Sequence, residues 1–516
     1  MHTLALALSL SAPAMAATLD GPADFGTSLA QGDYDGDGIP DLAVGTPALD
    51  LVWIFYGGDD GLSWSRAHRV AGDELGARFG QDLDAADLDG DGIDDLIVGA
   101  PAAREGGGCL STWPGGTAGI ATSPAFTACS DRGAIGLAIA VAAAGDLDGD
   151  GAPDLIAGSQ APFLAIYFGG PDGFSEEART IVTSGSTTFQ GDRCTEVAAG
   201  RDLNDDGVAD ALVSDDDATG GRTLVIHGDP EGIRDGVQSP TSLVSTGPTR
   251  ALLGPGDLDG DGRDDAVVTS YLLSACSVLL FSGGSGSAEL LVDGEYDDGC
   301  IGSALASADL DGDGRLDLAA TEPGADTPAL HLIYGGSDGF TPTVRPLVSD
   351  VLGDGGRALA VLDLDADGFP EIAVGDPGEL AGRVHLLQGG PDQDRDGAVL
   401  PEDCDDTDPG VYPGAEEIPG DGVDQDCDGQ DASTDTGTPD TGERDSRPDD
   451  DTGTACPDDS GSPCDDDHDN DGDDGSGCGC DTPGSPASTG IAGLLTLLAL
   501  MLARARRRQG ASLSDR

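Results

Sequence analysis

Residues 87–99 read DLDGDGIDDLIVG. Five of these thirteen positions are aspartate, and the acidic part runs straight into an apolar one. Four carboxylates at Asp87, Asp89, Asp91 and Asp95 repel one another unless a cation sits among them. The stretch recurs: DYDGDGIPDLAVG opens at Asp33, DLDGDGAPDLIAG at Asp146 and DLNDDGVADALVS at Asp202. DLDGDGRDDAVVT opens at Asp257, DLDGDGRLDLAAT at Asp309 and DLDADGFPEIAVG at Asp363. Successive openings are 54, 59, 56, 55, 52 and 54 residues apart. A fixed period of that size marks a solenoid, a propeller or an array.

Each unit repeats one internal order. A small-residue segment leads in, such as FGTSLAQG at 25–32 or IGSALASA at 301–308. The aspartate loop follows, then a short apolar run. A further strand ends in a glycine pair, as in VWIFYGG at 52–58, LAIYFGG at 164–170 and LHLIYGG at 330–336. A more polar stretch, such as SRAHRVAG at 65–72, closes the unit. Four short strands per unit describe a propeller blade. In this region no 3.6-period apolar run is long enough for a helix. The last unit shows no outer strand after the glycine pair at 389–390, and residues 17–24 are the remaining candidate to supply it.

The order FG…GD-D-DG-DL-VG-P resembles FG-GAP repeats, the blades of integrin α-subunit propellers and of many bacterial surface proteins. The resemblance spans about residues 20–390 and implies an all-β, seven-bladed β-propeller. The fourth unit departs most, with Asn204 and Asp205 where others have Asp and Gly; the seventh has Ala366 and Glu371.

Positions 1, 3, 5 and 9 of each loop are the expected metal ligands. They are Asp33, Asp35, Asp37 and Asp41; Asp87, Asp89, Asp91 and Asp95; Asp146, Asp148, Asp150 and Asp154. The fourth loop offers Asp202, Asn204, Asp206 and Asp210; the fifth, Asp257, Asp259, Asp261 and Asp265. The sixth offers Asp309, Asp311, Asp313 and Asp317; the seventh, Asp363, Asp365, Asp367 and Glu371. Calcium takes six to eight oxygens and tolerates flexible loops, so one ion per loop, about seven in all, is expected. Position 7 can add its backbone carbonyl, and glycine at position 6, Gly92 in the second loop, allows the sharp turn. An EF-hand opens the same way but needs a bidentate Glu at position 12 between helices. Position 12 here is Val44, Val98, Ala157, Val213, Val268, Ala320 or Val374, which read as strand residues.

The chain has 516 residues and a net charge of −73, with no lysine among its 24 basic residues. Such a surface repels nucleic acid and anionic lipid and attracts cations. Without lysine there is no P-loop lysine and no Schiff base. Of the six histidines, His227, His331 and His385 fall in the strand before a glycine pair, where a packed role is expected. No nucleophile–base pattern stands out, and the paired carboxylates belong to cation loops.

Residues 1–16 end in Ala14-Met15-Ala16 after an apolar run and read as a signal peptide, so the propeller is expected at 17–390 and disulfides are permitted. Cys109 and Cys129 flank a strand–turn–strand segment, and so do Cys276 and Cys300; two local bridges are expected, with Cys194 a buried free thiol. Residues 391–431 form a second acidic module. Its DCDDTDPGVYPGAEEI…DGVDQDCDG resembles the metal-binding motif found in tandem on myxobacterial-type surface proteins. The resemblance implies further calcium ligands among Asp394, Asp396, Asp403, Asp405, Asp424, Asp426 and Asp428, and export favours a Cys404–Cys427 disulfide over thiolate ligation.

Residues 432–476 are mostly Asp, Thr, Gly, Ser and Pro and are expected to form a disordered acidic linker, extended by self-repulsion. The segment 477–516 carries an apolar run at 487–503, short for a membrane span, followed by Arg504, Arg506, Arg507 and Arg508. A plain single-span anchor is one reading. The order of cysteine, span and arginine cluster also resembles the myxobacterial C-terminal sorting signal, which implies removal of the span and lipidation at Cys478 or Cys480. The whole reads as a calcium-stabilised, surface-anchored binding or adhesion protein of a Gram-negative, myxobacterial-type bacterium. Its partner would be an extracellular glycan or protein. A structural or calcium-holding coat component is the alternative, and a hydrolase or lyase has less support.

Overall fold

The computed structural model describes most of residues 15–390 and scattered positions between 404 and 427. Residues 1–14, 391–403 and 428–516 lie outside the described residues, as do internal stretches, the longest being 183–192 and 231–240. The expected span at 487–503, the linker and Cys478 and Cys480 therefore fall outside it. Among the described residues no helix is long and apolar enough to cross a membrane.

Seven antiparallel sheets follow one another along the chain, one per aspartate repeat. The second blade shows the pattern: Leu83–Ala86 innermost, then Asp95–Ala100, Cys109–Trp113 and Phe126–Cys129. Neighbouring inner strands contact one another all the way round, including Leu29–Gly32 of the first blade against Ala358–Leu362 of the seventh. The structure is a closed seven-bladed β-propeller. Helix is confined to Pro47–Leu49 and Ala103–Gly106 among the described residues.

The second strand of each blade is buried on both faces, which is why its sequence is a continuous apolar run rather than an alternating one. The position-12 residues Val44, Val98, Ala157, Val213, Val268, Ala320 and Val374 all lie there, each at 0% exposure. A metal ligand has no place at such a position, and the EF-hand reading fails on that geometry. The apolar side chains gather into seven clusters, each formed between two adjacent blades. The core is thus a ring of blade-to-blade layers.

The seventh blade is completed by the start of the chain. Met15–Asp20 pairs antiparallel with Arg383–Leu387, outside Glu371–Asp376 and Ala358–Leu362. Ala17, Thr18, Leu19 and Asp20 stand opposite Leu386, His385, Val384 and Arg383. Leu19 packs with Phe25, Leu42, Val44 and Leu386 across the junction between the seventh and first blades. The expected cut after Ala16 leaves these four pairs in place.

All three expected disulfides form. Cys109–Cys129 ties the third and fourth strands of the second blade, and Cys276–Cys300 ties the fifth blade to the loop entering the sixth. Cys404–Cys427 closes the acidic module, in which Val411, Ala415 and Gln425 are buried. Cys194 is a buried free thiol, and burial pushes its pKa well up from the usual thiol value.

Candidate metal centres

Each aspartate loop folds on its own carboxylates. In the second loop Asp87 Oδ1 accepts the N–H of Gly90 (2.7 Å) and of Asp91 (3.1 Å), and Oδ2 accepts that of Gly92 (2.9 Å). Asp89 Oδ1 accepts from Asp91 N and Asp91 Oδ1 from Ile93 N. The first and third loops repeat these bonds from Asp33 and Asp146. Position 6 turns with positive φ in all seven loops, from +85° at Gly314 to +97° at Gly368, a region open to glycine.

Position 9, expected as a metal ligand, also carries a structural task. Asp95 Oδ2 accepts Leu88 N (3.1 Å) and Oδ1 accepts Gly115 N (2.8 Å). The same pair of bonds recurs at Asp41, Asp154, Asp210, Asp265 and Asp317. Glu371 reaches Leu364 N at 2.8 Å in the seventh blade. This carboxylate clamps the start of the loop to the end of the third strand. It also explains the glycine pair: a Cβ on Gly57 would meet Pro40 O at 2.5 Å, and the first glycine of every other blade is as tightly placed. Burial pushes Asp41, Asp154 and Asp317 up to about 7 and Asp95 and Asp265 up to about 6, against the lowering effect of their N–H bonds.

Five loops bring three carboxylates within 4.8 Å of one another. In the first two these are positions 1, 3 and 5: Asp33, Asp35 and Asp37, and Asp87, Asp89 and Asp91. In the third, fifth and sixth they are positions 1, 3 and 9: Asp146, Asp148 and Asp154; Asp257, Asp259 and Asp265; Asp309, Asp311 and Asp317. Asp257 Oδ1 and Asp309 Oδ1 are buried and meet no hydrogen-bond donor. An unmatched buried oxygen costs ~1–3 kcal/mol, more when charged, so something positive is wanted there. An all-oxygen donor set on a tight loop fits a hard divalent cation. In the seventh loop Asp365 and Asp367 lie outside the described residues. In the acidic module only Asp405 and Asp424 of the seven expected ligands are described.

In the fourth loop position 3 is Asn204, not a carboxylate, and among the described residues Asp202, Asp206 and Asp210 form no such three-carboxylate group by themselves. Here His227, expected to be packed in its strand, instead lies against the loop. Its Nδ1 stands 3.2 Å from Asp210 Oδ1 and 3.2 Å from Asn204 Nδ2. The bond to Asp210 raises the imidazole pKa, with burial opposing. Residues before the glycine pair are otherwise Tyr56, Pro114, Phe168, Ser282, Tyr334 and Gln388, so an imidazole beside Asn204 was the available signal. His385 is fully buried and His331 Nε2 lies 2.8 Å from Glu322 Oε2, so those two are packed as expected.

A second set of carboxylates escaped the sequence reading. Asp82 and Asp84 sit at the inner edge of the second blade, where Asp82 Oδ2 accepts Val141 N and Asp84 Oδ2 accepts Ala143 N of the third blade. They cap inner-strand N–H groups of the neighbouring blade.

Family models place FG-GAP repeats at residues 25–64 and 79–109 and FG-GAP-like repeats at 146–213, 257–320 and 309–374. The blades are FG-GAP repeats. A Cu-binding MopE-type metal-binding motif matches residues 403–432. Over 229 residues the FG-GAP propeller is 28% identical to integrin alpha-5 of Xenopus laevis, covering 40% of this chain and 21% of the integrin. It is 32% identical over 203 residues to phosphatidylinositol-glycan-specific phospholipase D of Rattus norvegicus, covering 33% of this chain and 24% of that protein. The chain thus spans about a quarter or less of these relatives' length. The crystal structure of BBS1N in complex with ARL6DN, soaked with lead, covers 73% of this chain and 98% of that one, at 12% identity and a TM-score of 0.45.

Proposed function

We propose that the protein is a calcium-stabilised binding or adhesion protein displayed outside a bacterial cell. The observation that carries the reading is the recurrence of three-carboxylate groups around the ring, with buried oxygens at Asp257 and Asp309 that lack any donor. Divalent charge at each loop would offset the repulsion and let the apolar second strand stay packed. The similarity to integrin alpha chains supports the binding role, and the loops at the blade ends offer the surface for a glycan or protein ligand. The apolar segment and arginine cluster at the C-terminus, with Cys478 or Cys480, would hold the chain at the membrane.

Melting the full chain with and without EGTA tests the metal. A large drop in Tm is expected, and an unchanged melt overturns the calcium reading. A glycan array and a cell-adhesion assay, each with and without calcium, test the role. Calcium-dependent ligand retention supports it, whereas lattice formation with no ligand favours a coat component. A second reading, hydrolysis, rests on the phospholipase D relatives, whose match to this chain is confined to about a quarter of their length. Turnover of a phosphatidylinositol-glycan by the full chain would establish it.

A further inference from the structure

The seven loops are alike in sequence, but the fourth is built differently. Its position 3 is Asn204, whose Nδ2 donates to Asp206 Oδ2 at 2.9 Å. Its position 9, Asp210, has the His227 ring nitrogen 3.2 Å from Oδ1. Besides the backbone N–H groups that every loop supplies, these two carboxylates each meet a side-chain nitrogen. Position 4 is Asp205 at φ +63°, and its carboxylate turns outward to within 3.8 Å of Arg263 Nη2 of the fifth blade. Asn204 Oδ1 accepts Asp206 N at 3.0 Å, as Asp89 Oδ1 accepts Asp91 N, so the difference lies in the other half of the amide: Nδ2 stands where a second carboxylate oxygen would be, and with Nδ1 protonated His227 sets a further donor on Asp210.

We propose that the fourth loop takes no calcium and is closed instead by the side chains of Asn204 and His227. The fifth loop shows that one donor is not enough to do this. Ser282 Oγ donates to Asp259 Oδ2 at 2.7 Å, yet Asp257, Asp259 and Asp265 still form a three-carboxylate group and Asp257 Oδ1 stays unmatched. The fourth loop differs in having both a neutral position 3 and a ring nitrogen on position 9. Asp202 still folds the backbone by accepting Asp206 N (2.9 Å) and Gly207 N (2.7 Å). These are the bonds Asp87 makes in the second loop, so the fourth keeps the common backbone turn, and in this proposal its blade is independent of the ion. This inference rests on calcium being held by the other loops.

The test counts calcium bound per full-length chain by equilibrium dialysis, using variants at matching positions. Asp89→Ala with Asp91→Ala in the second loop should lower the count by one. Asn204→Ala with Asp206→Ala in the fourth should leave it unchanged. If the second-loop variant binds as much calcium as the parent, the calcium reading itself fails. If it loses one ion and the fourth-loop variant loses one as well, the calcium reading stands and this inference falls. Because either loss could reflect unfolding, a gain is also sought. Asn204→Asp with His227→Phe should bind one ion more than the parent. An unchanged count in that variant, folded by far-ultraviolet circular dichroism, overturns the assignment to these two side chains. Loss of a zinc ion from the fourth-loop variant, measured in the same dialysis with zinc, also overturns it.

Discussion

The second and seventh blades reach the same four-stranded sheet by opposite routes. The second is one continuous stretch, Leu83–Ala86 through Phe126–Cys129, with Cys109 and Cys129 joined across its two outer strands. The seventh is assembled from both ends of the ring, with Met15–Asp20 hydrogen-bonded to Arg383–Leu387 and no covalent tie. A local sheet pays only a short loop closure to form. The composite sheet closes a loop of more than three hundred residues, since Asp20 and Arg383 are 363 apart. The strength of the ring is therefore expected to be set at its seam, while the second blade has stability to spare.

The largest expected effect attacks the seam. Leu19 is 6% exposed among Phe25, Leu42 and Leu386, so Leu19→Asp buries a charge where the ring closes. It should cost about 4 kcal/mol or more and release the seventh blade. Ala128→Asp, at 5% exposure in the outer strand of the second blade, should cost less, because the bridge at Cys129 holds that strand in place. Urea unfolding in saturating calcium compares the two. Equal losses would show that closure by the first strand is not the weak point.

A smaller effect removes the advantage of the second blade. Cys109 and Cys129 are 20 residues apart, a loop whose cross-link contributes about 3 kcal/mol in the chain-entropy picture. Replacing both with serine should lower the unfolding free energy by about that much, leaving the ring closed. A double variant as stable as the parent would mean that strand pairing alone holds this blade. The reverse experiment sharpens the contrast: a cysteine pair engineered between residues 18 and 385, which face each other across the seam, should raise stability.

The ring, its seam and its bridges were legible because each rests on something a sequence displays. The repeats are in register, the seventh unit lacks an outer strand, and the bridged cysteines flank adjacent strands. The division of labour inside each loop was not legible. Asp91 and Asp95 look equivalent in the sequence, but Asp95 is claimed by Leu88 N and Gly115 N, and the glycine lies 20 residues away. Only the fold brings that N–H to the carboxylate. His227 was misread for the same reason: its place in the sequence says packed in the strand, while it follows the strand's last residue, Ile226, and its ring lies against Asn204 and Asp210. The inner strands read as small residues, and the acids at Asp82 and Asp84 gave no sign of what they would cap.

Those two acids give the subtlest contrast between the blades. Five and three residues before the opening aspartate, the second blade has Asp82 and Asp84, where the seventh has Ala358 and Ala360. Burial pushes Asp82 up to about 7 and Asp84 up to about 6, and the nearby Glu196 carboxylate is raised by burial and by Asp82. An unfolded aspartate titrates near 4. Between about pH 4 and 7 the folded state therefore holds a proton on Asp82 that the unfolded chain has lost. Stability from this group is fully present below about 4, falls as pH rises, and levels off above about 7. Asp82→Asn keeps an oxygen to accept Val141 N but has no proton to lose. The variant should match the parent at pH 4.5 and exceed it at pH 8, by at most about 4 kcal/mol and by less because Asp82 is only half-buried and solvent screens it. Urea unfolding at the two pH values reads the difference. A gap that is constant with pH would show that Asp82 stays ionised in the fold and serves the third blade as a charged cap. Ala358→Asp in the seventh blade should instead introduce the pH dependence, since it places the same acid on the same inner edge.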